Sequence, residues 1–278
     1  INHLLDINGN DIKGKKVALV YHNSAYGKEP IRTLEVLSEK HGYELSLLPV
    51  DHPGQEQKSQ WLQIRRDKPD YVLMWGWGVM NQVAIQEAVN IRFPMENFIG
   101  IWWSGSENDV LPAGPKANGY KSLTFHGVGS DFAVLDDIKK YVLDAGRAAG
   151  AGDQVGTVLY NRGLYMAMLH AEAARTAQDM TGKSVVSQGD MIKAMEAFEM
   201  TEEKMAGLGL ANFGPSFKVT CQNHGGDGLV GVAQWDAGAG KWSMISDYKQ
   251  SDQSVIAKLI AEDSAAYAAE NNITPNCD

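Results

Sequence analysis

Two periodicities alternate along the first half of the chain. Val17, Ala18, Leu19, Val20 and Tyr21 form a continuous apolar run after Gly14, Lys15 and Lys16. A run that short and that apolar predicts a parallel strand buried on both faces. Residues 28–41 then place Ile31, Leu34, Val36 and Leu37 at helical spacing. Pro30 suits the first turn of that helix and Gly42 its end. Residues 44–50 predict a second strand, and 57–67 a second helix with Trp61, Leu62 and Ile64 apolar. A third strand is expected at 71–75, and a helix at 79–91 turns Val83, Ala84 and Ala88 inward. Strands at 98–102 and 123–125 and a helix at 132–149 complete the series. Strand and helix in this alternation predict an α/β protein with an open, mostly parallel sheet flanked by helices.

The pattern changes at residues 146–156, where glycine and alanine replace bulky side chains and a linker is expected. Two helices follow at 161–178 and 188–199 with no strand between them, the second capped by Ser187. A glycine-rich loop at 205–227 leads to strands at 229–235 and 241–245. Asp236, Gly238 and Gly240 supply the hairpin turn between those strands. A last helix is expected at 252–271.

With 278 residues, 44% of them hydrophobic, the chain has material for one large or two modest domains. Its formal charge is −9. The densest basic groups are Lys13, Lys15 and Lys16 and the pair Arg65 and Arg66, too few to track phosphates, so nucleic acid is not an expected partner. No apolar run approaches the ~18 residues of a membrane span. The first residues have neither a cationic nor an apolar leader region, so any export signal is expected to have been removed already. Cys221 and Cys277 flank the two late strands and the last helix. A disulfide between them would clip that helix onto the body and require an oxidising, secreted or periplasmic compartment. The alternative is two buried thiols in a cytosolic protein. No Cys-x-x-Cys and no metal-type spacing of cysteine and histidine occurs, so no metal is expected.

Catalytic and cofactor motifs are weak. Gly9, Gly14, Lys15 and Lys16 approach a phosphate-loop spacing, but Lys16 stands where Ser or Thr is needed and the loop precedes its strand. Gly127 and Gly129 lack the third glycine of a dinucleotide loop. His3, His22, His41, His52, His126, His170 and His224 are scattered and read as surface or core histidines. No cofactor is expected.

The informative residues are those expected just beyond the carboxyl ends of the strands, where open α/β sheets bind ligands. Asn23, Ser24, Ala25 and Tyr26 follow the first strand, Trp77 the third, and Trp103 and Ser104 the fourth. Large aromatics beside glycine and small polar residues describe an apolar slot with a few hydrogen-bonding groups. Nothing in these loops pairs a nucleophile with a base, so binding without chemistry is the simpler reading.

Three stretches carry a family resemblance. They are Gly14 to Tyr21 with Ser24 to Gly27, Asp70 to Trp77, and Phe98 to Gly105. They resemble the second lobe of periplasmic substrate-binding proteins of the branched-chain amino acid type, which serve ABC transporters. Residues 160–171, Asn212 to Pro215, and the late strands with their helix are similar to later parts of that family. The resemblance implies a type I periplasmic binding protein fold, with residues 14–150 and 228–278 as the second, C-terminal lobe. Residues 157–227 become the helical remainder of an incomplete first lobe, which a partner chain or dimer would complete.

The resemblance also implies an extracytoplasmic, non-enzymatic solute-binding component that captures a small organic solute between two hinged lobes and delivers it to a permease. Tyr26, Trp77 and Trp103 would wall in the solute, and Asn23, Ser24 and Ser104 would hydrogen-bond it. Ser104, with Glu107 three positions on, stands where amino-acid binders usually place an acidic residue for the ligand ammonium. That departure leaves an aromatic acid or an amide beside an amino-acid-like solute. A ligand-sensing receptor module of the same fold and an α/β enzyme are the competing readings.

Overall fold

The computed structural model describes residues 1–150, 152–274, 276 and 277. Ala151, within the expected linker, and Pro275 and Asp278, within the expected C-terminal segment, lie outside the described residues. The chain divides into two compact units. Unit 1 comprises Ile1–Thr124 and Val230–Ile273; unit 2 comprises Phe125–Leu229 and the tail from Thr274.

Unit 1 is built on one seven-stranded sheet. Strands β1 (Lys16–His22), β2 (Glu44–Val50), β3 (Tyr71–Trp75), β4 (Phe98–Gly100) and β5 (Lys121–Thr124) are parallel. Strands β6 (Gly231–Asp236) and β7 (Lys241–Met244) add to β5 antiparallel, in the order β2-β1-β3-β4-β5-β6-β7. The expected parallel sheet is therefore mixed at one edge. A short turn can only reverse the chain, so the β6–β7 hairpin is antiparallel. Asp236 Oδ1 accepts from the backbone N–H groups of Gly238 and Ala239, each at 2.9 Å, and pins that turn.

Side chains alternate across each strand and so sort the core into two faces. Val17, Leu19, Tyr21, Tyr71 and Leu73 meet α1 (Asn2–Ile7), α2 (Ile31–His41) and the terminal helix Gln253–Glu270 through Leu4, Leu34, Leu37 and Val255. On the other face, α3 (Lys58–Asp67) delivers the fully buried Trp61 edge-on to Phe98, with ring centroids 5.3 Å apart. Gln57, also fully buried, accepts from the Trp61 indole at 3.1 Å and donates to the Met80 carbonyl at 2.8 Å. That bond ties α3 to α4 (Val79–Asn90) and satisfies both ends of the buried Gln57 amide. Pro30 precedes α2 rather than opening it, and Gly42, at φ 71°, ends it as expected.

The strand order has one consequence for function. From β1 the chain passes through α2 to β2 on one side; from β3 it passes through α4 to β4 on the other. The connections diverge between β1 and β3. Such a switch point opens a crevice at the carboxyl ends of the two strands.

Unit 2 packs α5 (Val158–Thr181) and α6 (Gln188–Glu196) with Tyr165, Ala173, Phe198, Met200, Met205, Leu210 and Phe213 as its core. Val134 and Leu135 join this core. Residues 125–150 therefore count with unit 2, and the division falls at Thr124 rather than at the glycine-rich stretch near 150. The expected helix at 132–149 is shorter: Ala133–Ile138 runs into a π-helical turn, Lys139–Leu143. Cys221 and Cys277 are disulfide-bonded, with Cα atoms 5.4 Å apart. Both belong to unit 2, whereas the terminal helix that the bond was expected to clip belongs to unit 1.

Ser187 caps α6 through a reciprocal box with Asp190. The Ser187 bonds, and then Lys183, hold the Asp190 carboxyl down at about 2, from 3.8. A depressed carboxylate contributes stability above its unfolded value and loses it as pH falls through the folded one. Ser187→Ala is expected to cost about 1 kcal/mol in urea denaturation at pH 7, with the difference from wild type shrinking below pH 3.8. A midpoint unmoved at pH 7 would contradict the cap.

Candidate functional site

Three loops of unit 1 converge on one backbone carbonyl, that of Gly76. After β1, Ser24 Oγ lies 2.8 Å from His22 Nδ1 and accepts from the Gly27 N–H at 3.3 Å, closing the short turn Ala25–Lys28. Only glycine fits at the third position of that turn: a Cβ on Gly27 would sit 1.7 Å from the His22 carbonyl oxygen. The turn folds Tyr26 back towards β3. Its hydroxyl reaches the Gly76 carbonyl at 3.4 Å, and its ring lies 6.3 Å from Trp75 and 6.4 Å from Trp77. Burial, and then the charge of Glu29, pushes the Tyr26 hydroxyl pKa well above its ordinary value, so it stays protonated.

After β3, Gly78 takes φ 59° and α4 starts at the next residue. That left-handed step favours glycine. Trp77 beside it stands out from the surface, 54% exposed. After β4, residues Trp102–Ser104 make a single 3₁₀ turn. Trp102 packs against Trp75 at 6.1 Å, and Trp103 is 49% exposed. Ser104 is fully buried and donates to the Gly76 carbonyl at 2.9 Å. Asn81 of α4 donates to the Trp103 carbonyl at 2.7 Å and to Asp109 Oδ1 at 3.1 Å, holding the β4 loop against the β3 loop.

The structure thus gathers Tyr26 and Trp77 into one ring cluster with Trp75 and Trp102. Trp103 joins the same region through its backbone. The polar residues expected to meet a solute are engaged within the protein. Ser104 spends its hydroxyl on Gly76, and Ser24 spends its own on His22 and the turn. Asn23 donates to Asp51 Oδ1 at 2.7 Å, and Ala25 is exposed at the turn's first position.

One residue of this cluster escapes a reading by sequence alone. His22 ends β1, 5% exposed, its ring edge-on to Trp77 at 6.2 Å and 5.8 Å from His52. Burial lowers its pKa, the neighbouring His52 lowers it further, and Asp51 partly opposes them. Its Nε2 has no hydrogen-bond partner among the described residues. The available signal was positional: His22 and His52 both fall at carboxyl ends of adjacent strands.

Two other features are separate from this cluster. An apolar cavity of about 360 Å³ lies against α1 and α2, lined by His3, Leu34, Leu37, Val232 and Ile256; of the ring cluster only Trp75 reaches it. In unit 2, Glu196, Cys221 and His224 bring ligand-type atoms within 4.8 Å of one another. Cys221 is held in the disulfide and offers no thiolate to a metal.

A parallel sheet with an aromatic rim at its switch point is an architecture in which α/β proteins place small-molecule sites. Residues 9–241 match the family model described as periplasmic binding protein, and the chain belongs to that family. It is similar, at 38% identity and TM-score 0.92, to a solved chain described as an ABC transporter permease from the Pseudomonas fluorescens group, covering 100% of this chain and 67% of that one. A branched-chain amino acid ABC transporter protein from Thermus thermophilus with bound valine shares the fold at 19% identity and TM-score 0.70, over 90% of this chain and 64% of that one. An ABC transporter solute-binding protein from R. palustris in complex with benzoate does so at 17% and TM-score 0.63, over 90% and 62%. The chain thus spans about two thirds of the length of these solved proteins. No protein of curated function matches it. The family is one of extracytoplasmic binding proteins, and no helix among the described residues is long and apolar enough to cross a membrane.

Proposed function

We propose that this chain is the solute-capturing component of an ABC importer, located in the periplasm or an equivalent extracytoplasmic space. It binds a small organic solute at the aromatic rim of unit 1 and passes it, chemically unaltered, to a membrane permease. The observation that carries this reading is the convergence of three loops on Gly76, which leaves the Trp77 and Trp103 side chains half exposed above the switch point. The Ser104 hydroxyl is buried on the Gly76 carbonyl, and Ser24, beside His22, is committed to the β1 turn through the Gly27 N–H, which supports binding over catalysis. The disulfide supports an oxidising compartment. The family's solved members bind ligands as varied as valine and benzoate, which supports a solute role without fixing the solute. Family members close a second lobe over such a rim by hinge motion; whether a companion chain takes part is read out by the same experiment.

Native mass spectrometry of the protein as purified tests the reading. The expected spectrum shows the protein with one small molecule bound, whose mass is unchanged after release. A protein that converts its bound molecule with turnover, or one that neither carries nor takes up any solute, would overturn the reading. A second polypeptide in the spectrum would identify a companion.

A further inference from the structure

Resting on that reading, we infer that the rim selects a planar aromatic solute without an ammonium group, an aromatic carboxylate or amide, held by its ring face. An α-amino acid in such a site needs a carboxylate for its ammonium. After β4 the two acidic residues are Glu107 and Asp109, and both are engaged. Asp109, 6% exposed, accepts from the Ser106 N–H and hydroxyl, each at 2.8 Å, and from Asn81. Glu107 is partnered as well. Asp51 holds the Asn23 amide, and Glu29, whose charge reaches the Tyr26 hydroxyl, lines the separate cavity against α2.

What the rim presents instead is flat. Trp77 offers more than half its surface, backed edge-on by His22 and flanked by Tyr26 at an interplanar angle of 56°. Face-to-face or offset stacking on such a ring favours an aromatic partner over an aliphatic one of equal size. The imidazoles of His22 and His52, 5.8 Å apart, sit behind it. The acidic residue beside that pair, Asp51, is already bonded to the Asn23 amide, so a cationic solute group would have to share it rather than find a free counter-charge. The same residues account for the hydroxyls. Tyr26 and Ser104 point at Gly76, so this wall offers ring faces rather than a row of donors.

Calorimetric titration of the full-length protein, stripped of carried-over ligand by unfolding and refolding, tests the class with matched probes. Benzoate is compared with cyclohexanecarboxylate, benzamide with cyclohexanecarboxamide, and both pairs with phenylalanine and valine. At least one aromatic probe is expected to bind tenfold or more tightly than its saturated counterpart and than either amino acid. Trp77→Leu is expected to bring the aromatic-to-saturated ratio close to one. Valine, phenylalanine or a saturated probe binding as tightly as the aromatic ones would overturn the class and leave solute capture standing. A carried-over aliphatic solute would do the same. A protein that binds no probe and carries nothing would overturn solute capture, and the class with it.

Discussion

Truncating Trp77 to alanine is expected to weaken solute binding at least tenfold in the full-length protein, while leaving the melting temperature nearly unchanged. The two halves of that expectation have separate causes. The indole is 54% exposed, so its loss removes little burial on folding. Its ring nevertheless stands against His22 and Tyr26 at the crevice between β1 and β3. An aromatic contact in a binding pocket contributes about 0.5–1.5 kcal/mol beyond its buried area, and tenfold in affinity is about 1.4 kcal/mol. Calorimetric affinity and thermal melting of the same preparations check both halves. An unchanged affinity would remove Trp77 from the site. A large fall in melting temperature with it would reassign the residue to folding.

Reducing the Cys221–Cys277 bond is expected to destabilise the protein by about 3–5 kcal/mol, the chain-entropy value for a loop of this size. The bond closes a sequence separation of 56 residues, spanning β6, β7 and the terminal helix. Reduction frees that segment in the unfolded ensemble, so the loss appears without any native contact being removed. With a urea dependence of roughly 1–3 kcal/mol per molar, the midpoint should move by more than about 1 M. Urea curves with and without a phosphine reductant measure it. A midpoint that does not move, or two free thiols titrated in the unreduced protein, would refute the bridge.

The extent to which the site was legible differs residue by residue. Trp77 was legible because a strand ending at Trp75 and a helix starting at Val79 leave one large aromatic between two glycines. Tyr26 was legible by the same argument after β1. Ser104 was placed correctly beyond β4, but its chemistry was not legible. Whether a serine hydroxyl meets a solute or a backbone carbonyl depends on Gly76, which is remote in sequence. Asn23 and Asp51 repeat that lesson from different loops. His22 shows the converse: among seven scattered histidines it read as a surface or core residue, and only the approach of Trp77 and His52 marks it as part of the rim.

The amino-acid sequence by itself determined the strand–helix alternation, the parallel character of β1 to β5, the turn at Asp236 and the loops that form the rim. Each follows from local periodicity, glycine placement and capping, which act over a few residues. Tertiary structure decided where unit 1 ends, which hydroxyls are spent, and that Glu107 and Asp109 are already engaged. Those outcomes rest on contacts between segments far apart in the chain, such as Phe132 with Phe213 or Ser104 with Gly76. Periodicity reports which face of an element is apolar, but the partner that a buried polar group finds is settled only when the elements pack.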